Sequence, residues 1–204
     1  IMSNIAYFAD AINLSGAAFV PGEEIFRAAG VEGENILWID PGEVEGRIEQ
    51  IPGILDAQVD IQFPDTVNVQ VVEHEPVMMW SQGGESVWVD DQGETFPARL
   101  DLPWLLPITV DDVVTPIETA IPIDVVMGAT LLKALRPNIE LLHYDTAHGL
   151  SYQDGRNWRG YFGTGDSMAR KLMVYEILVA ELERTGIHPT AIYVADLETS
   201  YYVD

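Results

Sequence analysis

One tetrapeptide in the sequence matches a serine-hydrolase signature. Residues 165–168, Gly-Asp-Ser-Met, reproduce the start of the GDS-type lipase motif, in which the serine is the nucleophile. That chemistry needs the serine just after an early strand, and a downstream Asp-x-x-His that supplies the base and its orienting carboxylate. Here the tetrapeptide comes late, no such sequence follows, and the next residues have helical periodicity. Asp166 and Ser167 are therefore interpreted as a helix cap, and we expect no catalytic residue.

The residues that could bind a metal are few and scattered. His74-Glu75 lacks the second histidine of a zinc protease motif. His143 and His148 flank Asp145 at a turn, but zinc usually takes three protein ligands in catalysis and four in structure. The acidic segment 90–94 is too short for a calcium loop and is interpreted as a hairpin turn. We expect no metal and no cofactor.

The abundance of carboxylates and tryptophans leaves an alternative function open. A pair of carboxylates could act as in a glycosidase, although nothing in the sequence identifies such a pair. Exposed tryptophans could stack on sugars, although packing in the core is the default for residues in or beside strands. The alternative is therefore an acidic extracytoplasmic hydrolase or cell-wall carbohydrate-binding module. The five tryptophans are Trp38, Trp80, Trp88, Trp104 and Trp158.

The elements that would position these residues are clearest between residues 30 and 76. Gly30 ends a short helix, and Asp40-Pro41 is typical of the start of another, with an acidic cap and proline at the first helical position. Two alternating stretches, 57–63 and 67–71, predict a hairpin around Pro64-Asp65. With a preceding strand, these elements predict a β-α-α-β-β unit. That preceding strand is predicted over residues 11–15.

The remainder of the chain predicts a second sheet with helices. Two hairpins are expected around residues 82–84 and 90–93, because glycine-rich turns separate short apolar stretches. A long helix is expected to run from the 166–167 cap to Thr185 and to bury Met168, Leu172, Tyr175, Val179 and Leu182. Other elements are expected as a strand near Ile108–Val110, a helix over Asp124–Leu135, and strands over Ile139–Tyr144, Gly149–Gln153, Trp158–Phe162, Ala191–Leu197 and Tyr201–Val203.

The charge of the chain excludes some classes of partner. The 204 residues carry a formal charge of −23, with 18 acidic residues against two arginines in residues 1–98. Such a field repels phosphate backbones and anionic lipid headgroups, so nucleic-acid binding is not expected. There are no cysteines, and no apolar run approaches the length of about 18 residues that spans a membrane.

The ordered set of motifs resembles the POTRA domain of the bacterial division family FtsQ/DivIB. The matching segments are AGVEGENILWID, EVEGRIEQIPGILDAQVDIQFPDTVNVQVVEHEPV and VDDQGETF, and the resemblance continues more weakly to the end of the chain. It implies an α+β fold with a POTRA domain (β-α-α-β-β) over residues 1–77. The family's β domain would follow over residues 78–204, as an α+β domain built on a mostly antiparallel sheet with a long C-terminal helix.

The resemblance also implies a function and a location. The chain would be a non-enzymatic scaffold of the division machinery that binds FtsB/DivIC-like and FtsL-like proteins during septum formation. A single-pass membrane anchor is expected to precede Ile1, which would place this part of the protein outside the cell membrane.

Strand addition at the C-terminal edge of the second sheet is the expected mode of binding. In that mode an extended partner segment pairs with an exposed strand, and its backbone hydrogen bonds supply affinity. Two basic residues on the preceding helix are expected to contact an acidic partner. The candidate residues are Arg170, Lys171, Leu197, Thr199, Tyr201, Tyr202 and Val203.

Overall fold

Two β-sheets, each with its own apolar core, organise the chain. The computed structural model describes residues 8–9, 11–111, 117, 120–165 and 167–203. The residues divide into a first unit, Ile1–Glu75 with Arg99–Asp101, and a second unit, Pro76–Ala98 with Leu102–Asp204. Helices and sheets are both present in the described chain, as expected for the α+β class.

The first unit is the predicted β-α-α-β-β arrangement. Its sheet has the order β1-β3-β2, with β1 parallel and β2 antiparallel to the central strand. Both helices pack their apolar faces against one side of this sheet, in the cluster that contains Ile25, Val44 and Ile48. The elements are β1 (Ala11–Ser15), α1 (Gly22–Ala29), a 3-10 turn (Ile36–Trp38), α2 (Pro41–Ile48), β2 (Ile54–Gln62) and β3 (Thr66–Glu73).

The predicted helix boundaries in the first unit are confirmed by their caps. Gly30 has the left-handed conformation that ends α1, and its N–H donates to the carbonyl oxygen of Phe26 at 3.0 Å. Asp40 Oδ1 accepts the N–H of Gly42 at 3.0 Å, with Pro41 at the first position of α2. These local hydrogen bonds explain why sequence alone located both boundaries.

The loop between β1 and α1 is held by the carboxylate of Glu73, at the end of β3. Its two oxygens accept the three consecutive backbone N–H groups of residues 18–20, at 2.7–2.9 Å. The loop begins at Gly16, whose φ of +85° favours glycine. A Cβ there would lie 2.0 Å from the carbonyl oxygen of Val71. Glu73 and Gly16 therefore fix the path of the chain into the first helix.

The second unit is a nine-stranded sheet with the order β12-β11-β10-β9-β8-β7-β4-β5-β6. Five of its neighbouring pairs are antiparallel and three are parallel, so the sheet is mixed, with antiparallel pairing in the majority. Its elements are β4 (Met78–Gln82), β5 (Glu85–Val89), β6 (Thr95–Pro97), β7 (Leu106–Val110), α3 (Ile123–Leu135), β8 (Leu142–Asp145), β9 (Gly149–Gln153), β10 (Arg159–Gly163), α4 (Met168–Thr185), β11 (Ala191–Tyr193) and β12 (Tyr201–Val203).

Helices α3 and α4 cover one face of this sheet. All five residues of the predicted stripe on α4 are buried, which confirms its orientation. The rings of Tyr152, Phe162 and Tyr175 form a triangle, in which the Phe162 centroid lies 5.2 and 5.3 Å from those of Tyr152 and Tyr175, and these two are 6.2 Å apart. The opposite face of the sheet, which we call the outer face, carries polar and aromatic side chains.

Two strand predictions were too long. The stretch predicted as the strand Ala191–Leu197 leaves the extended path after Tyr193, because Asp196 organises the following residues into a loop. The strand predicted over Ile139–Tyr144 begins only at Leu142. Ile139 is held by the end of α3, since its N–H donates to the carbonyl of Arg136 and its carbonyl accepts from the amine of Lys133.

The second unit is expected to lose stability in alkaline solution because of Tyr175. Burial, reinforced by the neighbouring Asp154, raises the pKa of the Tyr175 phenol well above its ordinary value. The folded protein therefore keeps this proton at a pH where the unfolded chain, with a tyrosine pKa of about 10, releases it. The stability that depends on the neutral phenol is complete below about pH 10 and is lost above it.

Urea unfolding between pH 9 and pH 11 measures this effect. The free energy of unfolding of the unmodified chain should fall by about 1 kcal/mol more than that of Tyr175→Phe, since each pH unit above the unfolded pKa is worth about 1.4 kcal/mol per group. Equal pH dependence in the two proteins would show that Tyr175 does not carry the effect.

Candidate partner-binding site

One end of the nine-stranded sheet is formed by the short strand β12. Among the described residues, β12 has one strand neighbour, β11, to which it is antiparallel with Tyr201 opposite Tyr193 and Val203 opposite Ala191. Both the N–H and the hydroxyl of Thr190 donate to the carbonyl of Val203, at 2.8 and 3.2 Å. The side of β12 that faces β11 is therefore held by hydrogen bonds, and the opposite side is a strand edge.

The opposite end of the sheet is protected. Glu94, just before β6, forms an antiparallel bridge with Ala120, and the N–H of Ile121 donates to the carbonyl of Gly93 at 2.7 Å. Strand β6 ends in Pro97, which has no N–H to donate. Both features are devices by which proteins prevent pairing at a sheet edge. The β12 edge has neither device among the described residues.

Three tyrosines form a continuous stack on the outer face and end at the open edge. The rings of Tyr161, Tyr193 and Tyr201 come from β10, β11 and β12. Their centroids are 4.5 and 4.6 Å apart, with interplanar angles of 1° and 11°. His148 lies beside the stack, 5.2 and 5.3 Å from the rings of Tyr161 and Tyr193, and its Nδ1 is 2.9 Å from Asp145 Oδ1. The stack joins the edge strand to the body of the sheet.

The geometry of this stack bears on the carbohydrate alternative. A sugar-binding platform presents aromatic faces to the solvent, whereas these tyrosines turn their faces toward one another. Of the tryptophans, Trp80, Trp88 and Trp158 are buried in the core, and the two exposed ones, Trp38 and Trp104, belong to different units. Neither set of rings forms the row of exposed faces that the alternative requires.

The predicted partner-binding residues fall into three groups. Tyr201, Tyr202 and Val203 lie on β12 and are 52%, 41% and 45% exposed. Leu197 and Thr199 lie in the loop before β12 rather than on a strand, and the hydroxyl of Thr199 donates to Asp196 Oδ2 at 2.6 Å.

The third group is the basic pair at the start of α4. Arg170 is exposed in the first turn of the helix. Lys171 is buried, on the same face as Met168 and Tyr175, and its amine donates to the carbonyl of Thr164 at 2.8 Å. Lys171 was expected to contact an acidic partner, but its buried amine instead forms a hydrogen bond within the second unit and has a structural role.

The other residues considered for catalysis or metal binding lie at helix ends, strands and turns of the fold. Ser167 stands at the cap position of α4 without a capping hydrogen bond from its side chain, and Asp166 lies outside the described residues. His143 lies on β8 rather than in a turn, and its Nδ1 is 2.9 Å from Asp111 Oδ1, whereas His148 faces Asp145, so the two histidines face different carboxylates. Asp90 Oδ1 accepts the N–H groups of residues 92 and 94, as a hairpin turn requires. Within the described part of the chain, no group of three or more metal-binding side chains converges.

Two carboxylates that organise the units were missed by sequence reasoning. Glu73 lies within a segment that matches the family pattern, but its role depends on a loop more than 50 residues away. Asp154 lies in the turn between β9 and β10. It accepts hydrogen bonds from the N–H groups of Arg156 and Trp158, from the guanidinium of Arg156, and from the hydroxyl of Tyr175. The bonds of Glu73 and the bond from Tyr175 to Asp154 join residues far apart along the chain, which local patterns do not reveal.

Comparison with known proteins gives consistent matches. A sequence profile described as "POTRA domain, FtsQ-type" matches residues 9–74. Cell division protein FtsQ of Chloroflexus aurantiacus is 26% identical over 184 residues, which cover 83% of this chain and 65% of that protein. FtsQ of Chloroflexus aggregans is 25% identical over 176 residues, covering 82% and 65%. FtsQ of Neisseria meningitidis is 39% identical over 69 residues, covering 34% and 28%.

These matches extend beyond the first unit. The chain spans 65% of the length of the two Chloroflexus relatives, and the matched length is too great to be confined to residues 9–74. The described residues contain no helix with both the length and the apolar character needed to cross a membrane. With the β-α-α-β-β unit followed by the large mixed sheet, the profile and the relatives agree: the first unit is similar to the FtsQ-type POTRA domain, and the chain is similar to FtsQ proteins over most of its length.

Proposed function

We propose that this chain is the extracytoplasmic part of a non-enzymatic scaffold of the division machinery, and that it binds FtsB/DivIC-like and FtsL-like proteins. The observation that carries the proposal is the contrast between the two ends of the nine-stranded sheet. The β6 end is protected by Pro97 and by the bridge to Ala120, whereas β12 presents a strand edge with three exposed side chains. A scaffold of this kind acts through surfaces and needs no reacting group.

The mode of binding is strand addition at β12. A partner segment in extended conformation pairs its backbone with the outer side of Tyr201–Val203, and its alternate side chains fall on the two faces of the sheet. On the outer face, the last ring of the tyrosine stack, Tyr201, presents its free side to the added strand. Hydrogen bonds between the two backbones supply the affinity. The fit between the partner's side chains and those of Tyr201, Tyr202 and Val203 determines which partner binds.

Other residues of the second unit contribute at the margins of this edge. Arg170 offers an exposed positive charge to a carboxylate of the partner, in a chain that is otherwise strongly acidic. Leu197 and Thr199 belong to the loop that leads into β12 and sets its position. Lys171 has no part in the surface, because its side chain is buried.

The proposal includes a domain division and a location. The POTRA domain comprises residues 1–77 and the family's β domain comprises residues 78–204. The two compact units support this division, except that Pro76 and Val77 belong to the second unit and Arg99–Asp101 to the first. A single-pass membrane anchor belongs to the part of the protein outside this sequence, and the described units lie on the extracytoplasmic side of the cell membrane.

Variants of the edge strand test the binding mode. Val203→Asp places a charge on the pairing edge, and Tyr202→Ala removes an exposed contact. Each is expected to weaken binding of the cognate FtsB/DivIC-like segment by about tenfold or more, measured by calorimetry. Glu85→Lys, at the start of β5 and far along the sheet from β12, is the matched control and should bind normally.

Methylation of the partner's backbone separates strand addition from ordinary side-chain docking. A synthetic partner segment is N-methylated at one position at a time, which removes a single N–H. Loss of binding at every second position is the expected pattern, because alternate N–H groups face β12. Unchanged binding by Val203→Asp, or a loss with no alternation, would contradict the edge-strand mode.

A further inference from the structure

The first unit exposes a tryptophan on a rigid turn. Trp38 is 83% exposed and Leu37, beside it, is 62% exposed, while Ile36 in the same turn is fully buried. The N–H of Trp38 donates to the carbonyl of Asn35 at 2.8 Å, and the Asn35 side chain accepts the N–H of Leu37 at 3.1 Å. An aromatic side chain held on a fixed backbone loses little conformational entropy on binding, and tryptophan is enriched among the residues that dominate interfaces.

The turn is also tied to the segment before β1. The N–H of Ala9 donates to the carbonyl of Glu34 at 2.9 Å, and Phe8 forms a bridge with Asn35. The exposure of Trp38 is therefore a property of an anchored turn and not of a loose loop. A large apolar side chain kept in solvent by such an anchor marks a contact site.

The surroundings of Trp38 are acidic. A groove of about 450 Å³ runs between the ends of α1 and α2, with Trp38 on one side and the exposed carboxylates of Glu34 and Glu43 in its lining. Among the described residues, neither carboxylate forms an ion pair. We call Trp38, Leu37, Glu34 and Glu43 the Trp38 surface.

The arginines of the first unit do not neutralise this surface. The unit contains 15 acidic residues and only three arginines. Arg99 forms a bidentate pair with Glu24, with both distances 2.9 Å, and the guanidinium of Arg47 donates to the carbonyls of Ala28 and Ala29. Arg27 and Arg47 both line the groove, since hydrogen bonds to neutral carbonyls leave the charge of Arg47 intact, but the three carboxylates of Glu34, Asp40 and Glu43 outnumber them.

This charge pattern decides what can occupy the Trp38 surface. A second copy of the chain is repelled, because each carries a formal charge of −23. Anionic lipid headgroups and nucleic acids are repelled for the same reason. A segment with lysine or arginine is attracted, since a cation favours the face of an indole ring and also pairs with carboxylates.

We infer that the Trp38 surface is a second docking site, separate from the β12 edge, for a basic segment of a partner protein with an apolar residue between its charges. The apolar residue packs on Leu37 and Trp38. A lysine or arginine lies over the indole, and its neighbour reaches Glu34 or Glu43. The first unit thereby binds a partner in its own right, rather than only connecting the second unit to the rest of the protein.

A peptide titration of the 204-residue chain tests this inference. The probe is the acetylated and amidated peptide Lys-Leu-Lys-Leu-Lys, and the matched probe replaces each lysine by glutamate. Binding is followed by the nuclear magnetic resonance shift of the Trp38 indole N–H, which the Trp38→Phe variant assigns. The basic peptide should give saturable shifts at Trp38 and at the amides around Glu34 and Glu43, and the acidic peptide should give none.

Three variants define the site. Trp38→Ala should weaken binding of the basic peptide by about tenfold or more. The double variant Glu34→Gln with Glu43→Gln should weaken this binding severalfold and make it less sensitive to salt. Trp104→Ala, which removes an exposed tryptophan of the second unit, is the control and should leave binding unchanged. Val203→Asp should also leave this titration unchanged, so that failure of this site and failure of the β12 site can be told apart.

Several outcomes would overturn the inference. Shifts spread over acidic residues without dependence on Trp38 would mean nonspecific attraction. Binding of Trp38 to vesicles of phosphatidylcholine and phosphatidylglycerol, with no response to the basic peptide, would assign the surface to the membrane. Association of the chain with itself through Trp38, detected by sedimentation, would assign it to a second copy.

Discussion

Replacing Asp154 by alanine is expected to lower the free energy of unfolding of the second unit by about 4 kcal/mol. The side chain is only 9% exposed and accepts four hydrogen bonds at 2.8–3.1 Å, from two backbone N–H groups, a guanidinium and a phenol. Removing a buried charged acceptor leaves its donors without partners, at a cost of about 1–3 kcal/mol for each buried donor. The Tyr175 hydroxyl contributes most, because the residue is almost fully buried.

The loss should appear in urea unfolding as a lower midpoint with an unchanged slope. Asp91→Ala is the matched control, because Asp91 also lies in a hairpin turn but is exposed. Asp154→Asn should fall between the two, since the amide keeps only one acceptor oxygen. If Asp154→Ala and Asp91→Ala unfold at the same urea concentration, the hydrogen-bonded junction between the β9–β10 turn and α4 has no net stabilising effect.

Replacing Glu73 by glutamine is expected to destabilise the first unit by about 3 kcal/mol. The carboxylate accepts three consecutive N–H groups, and hydrogen bonds to a charged acceptor are each worth about 1.5–3 kcal/mol when the donors cannot reach water. The expected loss of about 3 kcal/mol is smaller than the sum of the three hydrogen-bond energies. The N–H of Ala18 lies near the surface, so water can replace its hydrogen bond to Glu73. In glutamine, one of the two oxygens becomes an amide nitrogen that faces backbone donors.

Hydrogen exchange of amides in β2 and β3 measures this change within the intact chain. Exchange in Glu73→Gln should be about a hundredfold faster than in the unmodified chain, whereas Glu75→Gln, an exposed neighbour, should show no change. Acceleration in the second unit but not in the first would contradict the role assigned to Glu73.

Local chemistry allowed much of the fold to be predicted. The strand over residues 11–15, the cap formed by Asp40 and Pro41, and the buried stripe of α4 are encoded by neighbouring residues. The burial of Lys171 was also predictable from neighbouring residues, although it was not predicted. Lys171 lies three residues after Met168 and four before Tyr175, so helical periodicity alone places it on the buried face. Its charge led to the opposite expectation.

One of the remaining errors has a local cause and the other a tertiary cause. The alternation after Ala191 predicts a strand to Leu197, but the side chain of Asp196 binds the following backbone and ends the strand at Tyr193. The stack of Tyr161, Tyr193 and Tyr201 depends on the register of three strands, one of which joins its neighbour in parallel. No pattern within a single strand specifies that register. The open edge was therefore predictable as a strand, but the aromatic stack that supports it was not.

The unequal ends of the nine-stranded sheet also have a consequence for assembly. A sheet with two open edges can accept a strand at each side and so link subunits into a polymer, as happens when exposed edges pair without limit. Here the segment around Ala120 and the proline of β6 leave β12 as the open end, among the residues described. With one open end, the sheet cannot be extended at both sides at once, so its two edges do not link subunits into a polymer. Under the proposed function, each copy would recruit one strand at this edge, and the number of copies would set how many such partners gather.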